Sequence, residues 1–240
     1  MNDQPSPIPA PLPDAVYPFQ IEDRAIRGRL VRLSRVSDAI LHAHSYPERV
    51  ANLLAENLAL AAALASGLKY DGIFTLQVQG DGPLGLLVAD ITSEGVMRGY
   101  ARFDETRLAD VPTDATPLSL FGKGYIAFTV DQGPDTERYQ GITEVVGETL
   151  ADCANAYFRQ SEQLATAIQL ATDGRSAAAL MLQRLPAAGG GEIAQDVAED
   201  DWQTAVILAG TATPLEMLDL SLAPNRAYRK CAKIAGDTSG

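Results

Sequence analysis

Few side chains in this chain are suited to catalysis or metal binding. It holds two histidines, His42 and His44, and two cysteines, Cys153 and Cys231. On a helix, the His-x-His spacing sends the imidazoles roughly 200° apart around the axis, so they cannot share a metal; on an extended segment they would lie on one face. Two surface or capping histidines are the simpler reading. Any Ser-His-Asp or Cys-His apparatus must use one of these imidazoles, and no Gly-x-Ser-x-Gly elbow is present to present a nucleophile. Two thiols build neither a four-thiolate zinc site nor a disulfide framework within one chain, so reduced thiols are expected, with Cys153 a core thiol on an apolar helix face.

Phosphate chemistry fares no better. Gly122-Lys123-Gly124 has the look of a phosphate loop, but no Ser or Thr follows the lysine and no glycine precedes it at the required spacing. Gly189-Gly190-Gly191 lacks the preceding strand and the spaced third glycine that cradle a dinucleotide. Glu199, Asp200 and Asp201 offer general acid/base candidates, yet a solvated acidic start to a helix ahead of Trp202 explains them better.

The elements that would position any site read as follows. Residues 1 to about 15 hold five prolines in a polar setting, an extended solvated arm. Phe19 and Ile21, then Ile26, Leu30, Val31, Leu33 and Val36, predict two strands, and Ser37 is placed to cap a following short helix. After Pro47, Val50, Leu53, Leu54, Leu58, Ala61, Leu64 and Leu68 recur at helical spacing and predict a central, largely buried helix ending near Gly67. From Gly72 to Asp104, three short strands separated by glycine turns predict an antiparallel meander. Residues 105 to 120 read as irregular. A strand pair follows at 125–131 and 139–146, then a helix over about 148–161, strands at 166–171 and 177–183, and a helix from Asp196 to Leu222. The class is α+β with a mostly antiparallel sheet and a long central helix; the divisions expected are an arm (1–15), a core (16–190), a helical linker (191–224) and a tail (225–240).

With 240 residues, 46% of them hydrophobic, the chain has material for a sizeable core, which excludes disorder throughout. A net charge of −12 repels a phosphate backbone, so nucleic acid is not an expected partner. No apolar run is long enough for a membrane span, and the N-terminus lacks the basic start and apolar block of a secretory signal, so a cytoplasmic location is expected.

Several motifs in order carry a resemblance. Tyr70-Asp71-Gly72 through Gln77, the turn QGDGPLG followed by LLVAD, Arg98-Gly99-Tyr100-Ala101, Gly122-Lys123-Gly124, Tyr139-Gln140-Gly141-Ile142 and YFRQSEQL at 157–164 are similar to the redox-regulated 33 kDa heat-shock holdase chaperones, over about Arg29 to Pro224. The resemblance implies an ATP-independent, non-enzymatic chaperone of the stress response that binds unfolding client proteins, acts as a homodimer and carries an α+β core followed by a helical linker. It also implies a C-terminal module in which four cysteines, spaced Cys-x-Cys and Cys-x-x-Cys, bind zinc when reduced and form disulfides when oxidised.

That cysteine set is not in these 240 residues, where Cys231 has no partner at ligand spacing, so neither zinc nor another cofactor is expected in this chain. The tail beyond Pro224 reads as divergent, and the chain as a truncated or out-of-frame form. The expected client-binding residues are the apolar side chains of the linker: Trp202, Val206, Ile207, Leu208, Leu215, Met217 and Leu218. Their burial alone does not offset the entropy of ordering the segment, so it should undock readily. The alternatives are an inactive remnant whose linker stays docked, or a small-molecule enzyme using a cleft near His42, His44 and Tyr100.

Overall fold

The computed structural model describes residues 14–21, 25–133, 136–185 and 195–224. Most of the proline-rich arm, the triple glycine with the boundary expected near 190, and the tail with Cys231 lie outside the described residues.

Strands β1 (Asp14–Ile21) and β2 (Ile26–Leu33) pair antiparallel, β1 taking up the last two residues assigned to the arm. Helix α1 (Arg35–His42) starts before Ser37, which is buried within it. Its first turn is satisfied from a distance: the Asp14 carboxylate accepts from the Ser34 and Val36 amides at 2.8 and 3.1 Å. An acceptor from the neighbouring strand thus replaces the local cap that the sequence suggested. Helix α2 (Glu48–Ala65) follows Pro47 as expected. The meander is β3 (Ile73–Gly80), β4 (Leu84–Thr92) and β5 (Met97–Phe103). The stretch read as irregular contains α3 (Glu105–Ala109), capped by Asp104, and a 3₁₀ turn over Pro117–Phe121.

Next come β6 (Gly124–Asp131), β7 (Tyr139–Glu144) and α4 (Leu150–Tyr157), which opens on a Thr149/Asp152 capping box. Beyond Tyr157 the helix widens into a π-helical turn, Phe158–Glu162, and stops at Gln163, whose φ of 52° is left-handed. Strands β8 (Thr166–Thr172) and β9 (Ala177–Arg184) precede α5 (Gln195–Gly210) and α6 (Pro214–Leu218). The single helix expected over Asp196–Leu222 is therefore two. Thr213 caps α6 through the Glu216 amide, and Pro214 at the first helical position has no N–H with which to continue α5.

The strands form two antiparallel sheets, ordered β1-β2-β9-β8 and β5-β4-β3-β6-β7. Helix α2 packs between them, against β2 and β9 on one side and β4 and β5 on the other. Its Ala/Leu second half is buried on all sides, because small side chains let both sheets approach the helix backbone. The four-stranded sheet is lined on both faces. Along β2, the odd positions Val31 and Leu33 join the α2 core while the even positions Ile26 and Leu30 face the opposite way, as the two-residue pleat requires. On β9, Ala177, Ala179 and Met181 face α2, and Ala178, Leu180 and Leu182 face outward.

Candidate functional site

The outward face of the four-stranded sheet is apolar, and α5 and α6 cover it. Ile26, Leu30, Leu180 and Leu182 pack against Trp202, Ala205 and Ala209 of α5, Ala212 of the break, and Met217 of α6. One even position of β2 breaks the apolar pattern. Arg32 is 1% exposed, and its guanidinium donates to three backbone carbonyls: Nε to Met217 at 2.7 Å and one terminal nitrogen to Glu216 at 2.9 Å, both in the last turn of α6, and the other terminal nitrogen to Leu222, beyond the helix, at 2.7 Å. Burial lowers the Arg32 pKa, with Tyr17 and Asp219 acting in the opposite sense. The last carbonyls of a helix lack intrahelical donors and carry the negative end of its dipole, so a buried cation at that end satisfies both needs. At the rim, Arg184 of β9 pairs with Glu199 of α5, which also accepts from Gln203.

The seven expected client-binding residues divide in three. Trp202 and Met217 are buried against the sheet. Val206, Leu208 and Leu218 are partly buried beside them. Ile207 and Leu215, at 66% and 80% exposed, point away and contribute nothing to docking. Sequence reasoning missed Ala205, Ala209 and Ala212, which are too small to stand out, and Arg32. A signal for Arg32 was present: in IRGRLVRL it stands at the same parity as Ile26 and Leu30, so a two-residue period places a cation on an apolar face.

The polar candidates do not converge. His42 closes α1 with Nδ1 at 2.9 Å from the Asp38 carbonyl and 3.2 Å from its carboxylate. His44 lies beyond the helix, its ring edge-on to Tyr100 at 5.6 Å between centroids. Glu199, Asp200 and Asp201 sit in the first half of α5, ahead of Trp202. Cys153 is buried with Sγ 3.6 Å from the Glu144 carbonyl, and burial pushes its thiol pKa up. A zinc-binding thiol needs the opposite environment, and the described residues hold no cluster of three His, Cys, Asp or Glu. The described residues do not fit zinc.

The glycine-rich motifs have structural work. A Cβ on Gly80 or Gly82 would lie 2.0 to 2.3 Å from the carbonyls of Phe121 and Leu120, and Asp81 accepts from the Lys123 amide, so the QGDG turn and Gly122-Lys123-Gly124 brace one another. Likewise Tyr139, Gly141, Tyr157 and Glu162 meet. Both tyrosine hydroxyls donate to Glu162 Oε1, at 2.8 and 2.7 Å, and Gly141 leaves room for the Tyr157 ring. Among the described residues, no helix is long and apolar enough to cross a membrane.

A sequence model of the family described as Hsp33 protein matches residues 14–232, a wider span than the motifs had marked at either end and one that includes Cys231. The chain is similar to the 33 kDa chaperonin of Caulobacter vibrioides, 49% identical over 163 residues, covering 67% of this chain and 54% of that protein. It is 40% identical over 211 residues to the 33 kDa chaperonin of Pseudomonas fluorescens strain SBW25, covering 87% of this chain and 68% of that one. The chain thus spans about half the length of the Caulobacter relative. Its fold is similar to the crystal structure of a 33 kDa chaperonin from Thermotoga maritima, with a TM-score of 0.73 at 19% identity over 92% of this chain and 75% of that one.

Proposed function

Because the chain belongs to the Hsp33 protein family, we propose that it is an ATP-independent holdase chaperone of the cytoplasm that binds unfolding proteins and keeps them from aggregating under heat or oxidative stress. The observation that carries the reading is the covered apolar face. Helices α5 and α6 lie over a sheet that is already packed on its inner side by α2, so the cover can leave without dismantling the body. Undocking bares Ile26, Leu30, Leu180 and Leu182 of the sheet together with Trp202 and Met217 of the cover, adding to Ile207 and Leu215, which are exposed already. Bared apolar side chains on a body of net charge −12 suit capture of unfolded chains, since the charge keeps the loaded complex in solution. Homodimerisation would enlarge that surface. The reading requires no catalytic residue, nucleic acid or membrane.

A polypeptide of these 240 residues has two thiols, one of them the buried Cys153. Capture by it should therefore need no oxidant. Light scattering from a thermally unfolding reporter enzyme, recorded with and without peroxide, tests this. Suppression in both conditions is expected; suppression only after oxidation, or none, would overturn it. The rival reading, a remnant whose cover stays docked, is separated by the fluorescence of Trp202, the only tryptophan. Under capture conditions its emission should shift to the red; an unshifted spectrum with no capture favours the remnant.

A further inference from the structure

A cavity of about 480 Å³ opens between the two sheets at the C-terminal end of α2, away from the face covered by α5 and α6. The pleat of β2 sends Arg27 and Arg29 into it, on the face opposite Arg32. Arg29 is 8% exposed. The acceptor that the two guanidiniums reach among the described residues is one neutral atom, the Gln183 amide oxygen, at 3.2 Å from Arg27 and 3.4 Å from Arg29. Lys69 adds a third cation at the exposed edge. No carboxylate of the described residues pairs with any of the three. Glu162 also borders the cavity; its Oε1 accepts from the hydroxyls of Tyr139 and Tyr157, and the carboxylate forms no ion pair with the three cations. The Arg29 guanidinium lies beside Gly67, where the end of α2 supplies partial negative charge, yet it donates to no carbonyl there.

A buried cation without a counter-ion is costly, and two side by side repel. In keeping with this, the Arg29 pKa is lowered, first by burial and then by Arg27. Apart from Gln132, Gln183 and the Tyr139–Glu162 pair, the remaining wall is largely apolar, with Leu64, Phe74, Phe128, Tyr157 and Met181 among its side chains. A few charged groups in a mostly apolar cavity of this size describe a site for a small ligand with a matching polar head and apolar body.

We propose that this cavity binds a medium-chain carboxylate, its head on Arg29, Arg27 and Lys69 and its hydrocarbon body against Phe74, Phe128 and Tyr157. The site is independent of the client-binding face and of the chaperone reading. Calorimetric titration of the 240-residue chain with sodium decanoate, with 1-decanol and with inorganic phosphate separates head from body. Decanoate should bind one to one and at least about tenfold more tightly than either decanol or phosphate. Arg29→Gln should reduce decanoate affinity about tenfold while leaving decanol binding unchanged, and without ligand it should melt no lower than the parent, since it removes an uncompensated charge. Lys69→Gln, at an exposed position, should reduce decanoate affinity about threefold. Equal affinity for decanoate and decanol, no decanoate binding, an unchanged decanoate affinity in both variants, or a lower melting temperature for ligand-free Arg29→Gln would each overturn the assignment.

Discussion

Two ionisable side chains, the buried Arg32 and the half-buried Glu56, give the clearest tests at the scale of single residues. Arg32→Met removes all three donors to the Glu216, Met217 and Leu222 carbonyls. Breaking a buried charged contact of this kind costs about 3 kcal/mol, enough to change the docked fraction of a marginal segment. Trp202 emission should shift to the red, and scattering suppression should start at a lower temperature than in the parent. Glu56, on α2, is pushed up to about 7 by burial. Its folded pKa then lies above the unfolded value of about 4.3, so the folded state holds the extra proton. Its contribution to stability is complete below about pH 4, is lost as the pH rises toward 7, and is flat above; a shift of this size is worth roughly 3 kcal/mol. Glu56→Gln should therefore be the more stable protein at about pH 8, with the gap closing at about pH 5, in urea titrations of both. Asp131, Glu199 and Asp219, held low by hydrogen bonds, act in the opposite sense, which makes the paired comparison necessary.

Among the elements, the sequence was legible wherever one periodicity decided the outcome. The run from Val50 to Leu68 showed α2, and glycine turns marked the meander. The break between α5 and α6 was also written there, as Thr213-Pro214 with Glu216 three residues after the threonine, but the apolar residues on either side masked it. The start of α1 and the hold of Arg32 on α6 could not be read, because both join a side chain to backbone far away in sequence, and composition carries no record of such partners. The motif YFRQSEQL was recognised before its purpose was visible: a π-helical turn brings Glu162 under two tyrosines, and Gly141 gives the Tyr157 ring its place. A Cβ at position 141 would lie 2.1 Å from the Tyr157 hydroxyl oxygen. Gly141→Ala should accordingly lower stability by about 1–3 kcal/mol and quench the tyrosine packing signal in near-ultraviolet circular dichroism.

For the whole molecule, two apolar compartments separated by one sheet imply two cooperative units. The compartment around α2 gathers side chains from both sheets, while the outer one rests on a few alanines, Trp202, Met217 and the bonds of Arg32. Denaturant should move Trp202 fluorescence before far-ultraviolet circular dichroism, and amides of α5 and α6 should exchange faster than those of β3 and β9. Coincident transitions and equal protection would mean that the cover and the body unfold together. A sheet lined on both sides also has a kinetic corollary. Once its outer lining lifts, the platform beneath keeps its shape, and the departing helices remain tethered to it by the same polypeptide. Reclosure is then an intramolecular search by a short segment for a seat that never dissolved, so release of cargo can be followed by resetting, and the opened state need not be spent after one use.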